Sequence, residues 1–189
     1  MQLFVDREIR ASPITEVDAN IILDKLKSVE KKVKDNPHLH DDEILQLMKE
    51  SYDKFYSMIT QNRISLPVGV CHGDLTFSNI LFNGNNYYLI DFLDSFIESP
   101  LMDIVKIRQD SAYRWSQLMY IHDFDHIRLK LICKKIDQEI DTYYRKYGWY
   151  RDYYRIMQLM NFLRILQYAK EKKVIDYLKE VIGGILHEI

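Results

Sequence analysis

The sequence predicts a mainly α fold of the α+β kind, with one small β-hairpin between two groups of helices. Three observations predict it. Apolar residues recur at helical spacing before residue 60. An Asn83-Gly84 pair then sits between two short apolar runs, which is a strong hairpin signal. After Pro100 the helical period returns and persists to the end of the 189 residues.

Each element follows in order. Residues 1–12 read as a short extended lead-in, with Pro13 at the start of a helix, where its missing N–H costs little. Val17, Ile21, Leu26, Val29 and Val33 set that helix over 14–34. The stretch DNPHLHDD at 35–42 breaks it. Asp41 or Asp42 caps the next helix, which carries Ile44, Leu45, Met48, Tyr52, Phe55, Tyr56 and Ile59 on one broad face. The pattern changes at Pro67, and Val68–Cys71 is short and apolar. Asn79–Phe82 and Tyr87–Phe92 are the hairpin strands, joined by residues 83–86. Helices follow over Leu101–Gln109, Phe124–Tyr147 (stopped by Gly148), Tyr150–Ala169 and Val174–Leu186. Gly183-Gly184 is expected to interrupt the last.

Length allows a single domain with a real core. A formal net charge of −2 points to neither a nucleic-acid nor an anionic-membrane surface. No apolar run approaches the roughly 20 residues that span a bilayer, and the acidic start MQLFVDREIR is unlike a secretory signal. A cytoplasmic location is the expectation. Cys71 and Cys133 form no CxxC pair and read as two buried thiols.

The chemistry gathers around the hairpin. Upstream stands Cys71-His72-Gly73-Asp74-Leu75-Thr76-Phe77-Ser78-Asn79, downstream Leu89-Ile90-Asp91-Phe92-Leu93-Asp94. Asp74 ends a short apolar run and enters a loop, Asn79 opens the hairpin, and Asp91 ends its second strand. Pairing of the strands brings Asn79 and Asp91 together at the open end. An acid, an amide oxygen and a second acid then surround one point. Hard oxygen ligands with room for water suit Mg²⁺, which takes one or two carboxylates plus substrate phosphates. Taken singly, any of these residues reads as ordinary turn chemistry; the spaced set does not.

HGDLTFSNI followed by LIDFLD resembles the catalytic core of the aminoglycoside phosphotransferase and choline kinase family, of the protein-kinase-like fold. There the motif is His-Gly-Asp-x4-Asn, then Asp-Phe-x-Asp; protein kinases carry His-Arg-Asp-x4-Asn and Asp-Phe-Gly. Gly73 in place of arginine favours the small-molecule branch. Ser99-Pro100-Leu101-Met102-Asp103-Ile104 matches a further element. The short stretch 92–102 leaves no room for the activation segment that docks a peptide. The resemblance covers residues 40–110 well and the later helices loosely.

It implies the helical C-terminal lobe of a kinase-like fold, transferring the γ-phosphate of ATP to a small-molecule hydroxyl with Mg²⁺. Asp74 then orients the acceptor hydroxyl and takes its proton. Asn79 and Asp91 hold the metal and nucleotide, His72 shapes the loop, and Asp103 accepts hydrogen bonds from loop amides. Asp94 either assists the metal or faces solvent. The acceptor is a sugar, aminoglycoside, choline or amino alcohol, with a weak preference for a sugar.

The family's β-rich lobe, with its glycine-rich phosphate loop and strand lysine, is expected to be absent. No glycine precedes Gly69. Three accounts stay open: part of a longer product, a partner supplying that lobe, or a one-lobed protein that binds without catalysis. An exposed apolar patch near the hairpin, able to self-associate, is expected.

Other features weigh less. Tyr143, Tyr144, Tyr147, Trp149, Tyr150, Tyr153 and Tyr154 read as a cage for a quaternary ammonium or, more simply, as rings packed between helices. Asp123, Asp125, Asp137 and Asp141 read as a site for a cationic acceptor or, more simply, as a solvated helix face. His38 and His40 read as a capped loop rather than a metal site.

Overall fold

A computed structural model describes residues 2–61, 63–120 and 123–189, leaving aside the side chains of residues 2 and 59–61, so the expected place of Ile59 on its helix face lies outside the described residues. Along the chain run α1 (Gln2–Ala11), β1 (Ile14–Glu16), α2 (Ala19–Asp35), α3 (Asp42–Gln61), β2 (Ser65–Pro67), β3 (Ile80–Asn83), β4 (Asn86–Leu89), α4 (Pro100–Ser111), α5 (His126–Tyr144), α6 (Gly148–Leu166) and α7 (Lys172–Glu188). The fold is mainly α, as the apolar periodicity requires. Two two-stranded sheets, β1-β2 and β3-β4, complete it among the described residues. None of the described helices is long and apolar enough to cross a membrane.

The chain forms two compact units, Met1–Thr15 with Leu66–Asp152, and Glu16–Ser65 with Tyr153–Ile189. The second is a helical unit. Ile22, Leu26, Val29 and Val33 are the buried stripe of α2, spaced to keep one face inward. Ile44, Met48 and Phe55 do the same for α3, and Leu178, Ile182 and Ile185 for α7. Asp18 caps α2 by accepting the Asn20 N–H at 2.9 Å. Asp41, rather than Asp42, caps α3, accepting the Glu43 N–H at 2.8 Å. Lys179 on α7 pairs with both Asp41 and Glu43, placing a cation opposite the acids at the start of α3.

The first unit carries α1, the hairpin, α4 and α5. The hairpin pairs Ile80 with Leu89, Leu81 with Tyr88, Phe82 with Tyr87 and Asn83 with Asn86. Its two-residue loop is Gly84-Asn85, one position later than Asn83-Gly84. Gly84 has φ +60° and Asn85 is not in the left-handed region, the pattern of a type II′ turn with glycine first. Leu81, Phe82, Tyr87, Tyr88, Ile90, Phe92 and Leu93 are all exposed, Phe82 at 79%, so an apolar patch does surround the hairpin.

Four expectations are corrected. Residues 2–11 are helical, not extended. Val5 and Glu8 are buried in α1 and Ser12 just past its end, at helical spacing, but a charged residue in the middle of the stripe hides the period. Pro13 accordingly ends a helix instead of opening one, since the residue before a proline avoids helical backbone, and β1 precedes α2. The sheet β1-β2 means that the hairpin is not the sole β structure. Gly183-Gly184 does not interrupt α7. A Cβ on Gly183 would sit 3.8 Å from the Leu47 side chain, so the site lies in the α3–α7 packing, where tertiary contact overrides glycine's weak helix propensity.

Candidate active site

The site is organised by α4. Ser99 caps it, accepting the Leu101 N–H at 3.2 Å, and Pro100 fills the first turn. Leu101, Met102, Ile104, Val105 and Ile107 are no more than 1% exposed. A helix buried on all sides is ordinarily apolar, yet α4 also buries Asp103, Arg108 and Asp110. Polar groups so placed need partners, and two of them find theirs in the loop that follows Cys71. Asp103 accepts the N–H of His72 at 2.5 Å and of Gly73 at 2.8 Å. Asp110 accepts the N–H of Phe77 at 2.9 Å and of Ser116 at 3.1 Å. Burial pushes the Asp110 carboxyl up, and these two N–H groups oppose that rise. The loop from His72 to Asn79 is therefore pinned to α4 at both ends.

Within the loop, His72 is fully buried. Its Nδ1 accepts the Asp74 N–H at 3.3 Å, which puts the ring proton on Nε2. The ring stacks on Phe92 at 4.2 Å between centroids, and the His72 carbonyl accepts the Leu93 N–H at 2.9 Å. Gly73 has φ +81°, and a Cβ there would lie 1.7 Å from the Leu93 carbonyl oxygen. Glycine is thus required twice over: by its backbone angle and by the closeness of the 91–94 segment.

Asp74 is the acid this frame presents. Its Oδ1 lies 3.0 Å from Lys106 Nζ. The Asn79 amide nitrogen donates to the Asp74 carbonyl at 2.8 Å and to its Oδ2 at 3.1 Å. That double donation fixes the amide so that its oxygen is the remaining donor atom for a cation. The Asn79 carbonyl accepts the Ile90 N–H at 3.1 Å, so Asn79 and Asp91 do lie at the same end of the hairpin. Asp91 is exposed and has φ +58°, a left-handed conformation that aspartate tolerates better than most residues.

The structure thus joins His72, Asp74, Asn79 and Asp103 through direct hydrogen bonds and sets Asp91 beside them. Asp94 is exposed. Lys106 and Asp110 were not singled out from the sequence. Both fall on the helix that carries Asp103, at the third and seventh positions after it, so Asp103 plus helical spacing was a usable signal. Cys71 donates to Glu98 Oε2 at 3.0 Å; burial, then that hydrogen bond, pushes its thiol up, away from nucleophilic use. Both cysteines are free; Cys133 is buried as expected, whereas Cys71 is only partly buried.

Several of the remaining acidic and aromatic residues have structural partners, while Asp123 is simply exposed. Asp125 caps α5, accepting the Arg128 N–H at 2.9 Å. Asp137 takes two bonds from Arg108, at 2.8 and 2.9 Å, and Asp141 a third at 2.6 Å. Burial works to raise Asp141, but the bond from Arg145 and the charge of Arg108 outweigh it and hold the carboxyl low. A solvated face is therefore not what Asp137 and Asp141 form. Arg108→Ala leaves these acids and Tyr150 without their shared donor, and about 3 kcal/mol of stability should be lost; urea unfolding measures it. Lys146 Nζ sits 3.6 Å from the Tyr143 ring centroid, so the chain's own lysine occupies that face. Asn36 caps the turn at Pro37–Leu39 and His40 bonds the Lys34 carbonyl, as a capped loop requires. Among the described residues, no group of three His, Cys, Asp or Glu side chains forms a metal cluster.

The phosphotransferase enzyme family (APH) matches residues 23–155. The chain belongs to that family, in keeping with the loop and hairpin just described. Comparison with curated proteins and with solved structures gives no match.

Proposed function

We propose that this chain is a small-molecule kinase, with a kinase-like helical lobe that transfers the γ-phosphate of ATP to a hydroxyl with Mg²⁺. The observation that carries the reading is Asp74. It stands in a loop anchored by Asp103, and both its carboxylate oxygens are held, by Lys106 and Asn79. Phosphoryl transfer passes through a loose transition state, so positioning and neutralisation of charge dominate. Asp74 orients the acceptor hydroxyl and accepts its proton. His72 supports the backbone from which Asp74 projects, and Asp103 fixes the two amides ahead of it.

The Asn79 amide oxygen and the Asp91 carboxylate would hold Mg²⁺. The donor set fits: magnesium keeps waters and takes substrate phosphates, so it needs no all-protein cluster. When bound, the ion neutralises phosphate charge. The two features that favoured a cationic acceptor are otherwise engaged, Asp137 and Asp141 by Arg108 and the Tyr143 face by Lys146. That supports a neutral, sugar-like acceptor over choline or an aminoglycoside. The absence of glycine before Gly69 supports a further segment that covers the phosphates, supplied by a partner or by more chain, and docked on the exposed hairpin. The second reading is a one-lobed module that binds nucleotide without turnover.

Calorimetric titration with Mg·ATP tests the metal–nucleotide assignment. Asp91→Asn is the control, because asparagine accepts positive φ while the charge is removed. Wild type should bind at least tenfold more tightly than the variant, about 1.4 kcal/mol. Equal affinity would remove Asp91 from the site. Binding without turnover on any of a panel of sugars and amino alcohols would favour the second reading.

A further inference from the structure

α1 lies ahead of the region matched by the family, yet it reaches the loop that carries Asp74. Phe4 meets the His72 and Phe92 rings edge-on, at 6.4 and 6.2 Å. Asp6 accepts the Tyr143 hydroxyl of α5 at 2.5 Å. Ser12, just past the helix, accepts the Val70 N–H at 2.9 Å. In the middle of this anchored helix stands Glu8, only 3% exposed.

An acid at the centre of a buried stripe needs a reason. Both Glu8 carboxyl oxygens are enclosed, and neither meets an N–H or hydroxyl donor among the described residues. α1 packs against α4, and the group that acts on Glu8 from there is the Asp103 carboxyl. Two carboxylates cannot hydrogen-bond to each other; a proton between them makes the bond. The other partners decide where that proton resides. Burial raises the Asp103 carboxyl too, but the N–H groups of His72 and Gly73 oppose that rise and stabilise its anion. Glu8 receives none. The proton therefore belongs to Glu8, which donates to Asp103.

We infer that Glu8 is a positioning residue: a neutral acid that holds Asp103, and through it the His72 and Gly73 amides, by one retained proton, and that releases the loop when the proton is lost. Its bearing on turnover rests on the phosphotransfer reading above; the latch itself concerns only the loop. Burial first, then the charge and hydrogen bond of Asp103, push Glu8 up from 4.5 to about 9. The titratable groups that act on the pair are Cys71 just ahead of the loop, His72 in it and Tyr144 on α5, with Glu98 beside Cys71 and Asp6 acting on Tyr144. None of these is a lysine or arginine that would favour an ionised Glu8. The unfolded chain gives up this proton near 4.5, whereas the folded one keeps it to about 9. Across that window the unfolded state binds fewer protons, so the Glu8 contribution is full below 4.5 and is lost as pH rises toward 9.

Carboxyl-carbon NMR on the whole chain tests this between pH 4 and 10. The Glu8 carboxyl should remain protonated at pH 7 and titrate near 9, with the His72 and Gly73 amide signals moving at the same midpoint. Glu8→Gln keeps an N–H donor but cannot ionise. In that variant the amide signals should no longer move, and the urea midpoint should fall less between pH 5 and 9 than in wild type. A wild-type Glu8 that titrates near 4.5 overturns the inference, whether or not the variant folds. Amides that shift in Glu8→Gln as they do in wild type overturn it equally. Loss of the phosphotransfer reading would appear as absent turnover in both proteins and would leave these titrations unchanged.

Discussion

Asp74→Asn should lower turnover by about 10² to 10⁴, the range that a positioned general base contributes, while Mg·ATP affinity changes by less than about threefold. The substitution keeps the side chain's shape. Its oxygen can still face Lys106, 3.0 Å away in the wild type, but its new amide opposes the amide of Asn79, so one of the two links is lost. Asp74 is partly exposed, with 27% of its side chain accessible, and water can replace that link. The stability change should stay within about 1 kcal/mol. The expected signature is thus a rate defect without a folding or nucleotide-binding defect, read by steady-state kinetics, calorimetry and urea unfolding together. A variant that keeps turnover within tenfold of wild type would mean that another group takes the acceptor's proton. A variant that loses nucleotide affinity and rate in parallel would make Asp74 part of the nucleotide site.

The legibility of this site in the sequence was uneven, for physical reasons. Asp74, Asn79 and Asp91 lie within one short stretch, so local spacing and a hairpin turn suffice to place them, whereas His72 was singled out by the family resemblance. Asp103 was reachable only through the family resemblance carried by residues 99–104, since no local pattern turns an aspartate there toward the loop. Lys106 and Asp110 share its helix, but nearly every side of α4 is buried, so apolar periodicity cannot tell which polar residues point to the loop. α1 was misread because Glu8 occupies the position where a helical stripe predicts an apolar residue. Only the neighbouring carboxyl, distant in sequence, explains an acid there. The Arg108 pairs with Asp137 and Asp141 were hidden for the same reason: partners on separate helices leave no local pattern. Long amphipathic helices such as α2 and α3 were legible because one face alone is buried, whereas the three-residue strands β1 and β2 carry no period to read.

Gly73→Ala should be the most damaging single-methyl change in the chain, and Gly84→Ala supplies its control. Both glycines have positive φ, +81° and +60°, so each substitution carries a conformational penalty on the order of 1 kcal/mol. They differ in what the added carbon meets. At Gly84 nothing lies within 4 Å, whereas at Gly73 the Leu93 carbonyl oxygen lies at 1.7 Å and its carbon at 2.8 Å. These are backbone atoms, which cannot rotate away as a side-chain tip would. The loop and the 91–94 segment therefore have to separate by more than an ångström. That separation breaks the Leu93 N–H bond to the His72 carbonyl and the stacking of His72 on Phe92. Gly73→Ala should cost about 3 kcal/mol or more, against about 1 kcal/mol for Gly84→Ala. Displacing Asp74 by an ångström should also lower turnover about 10²-fold in the fraction that stays folded, a loss that Gly84→Ala does not share. Urea unfolding of the two variants side by side isolates the collision from the backbone penalty. Equal destabilisation would show that the loop and the Asp91 segment do not approach as closely as the geometry has them, and would loosen the arrangement on which Asp74, Asn79 and Asp91 depend.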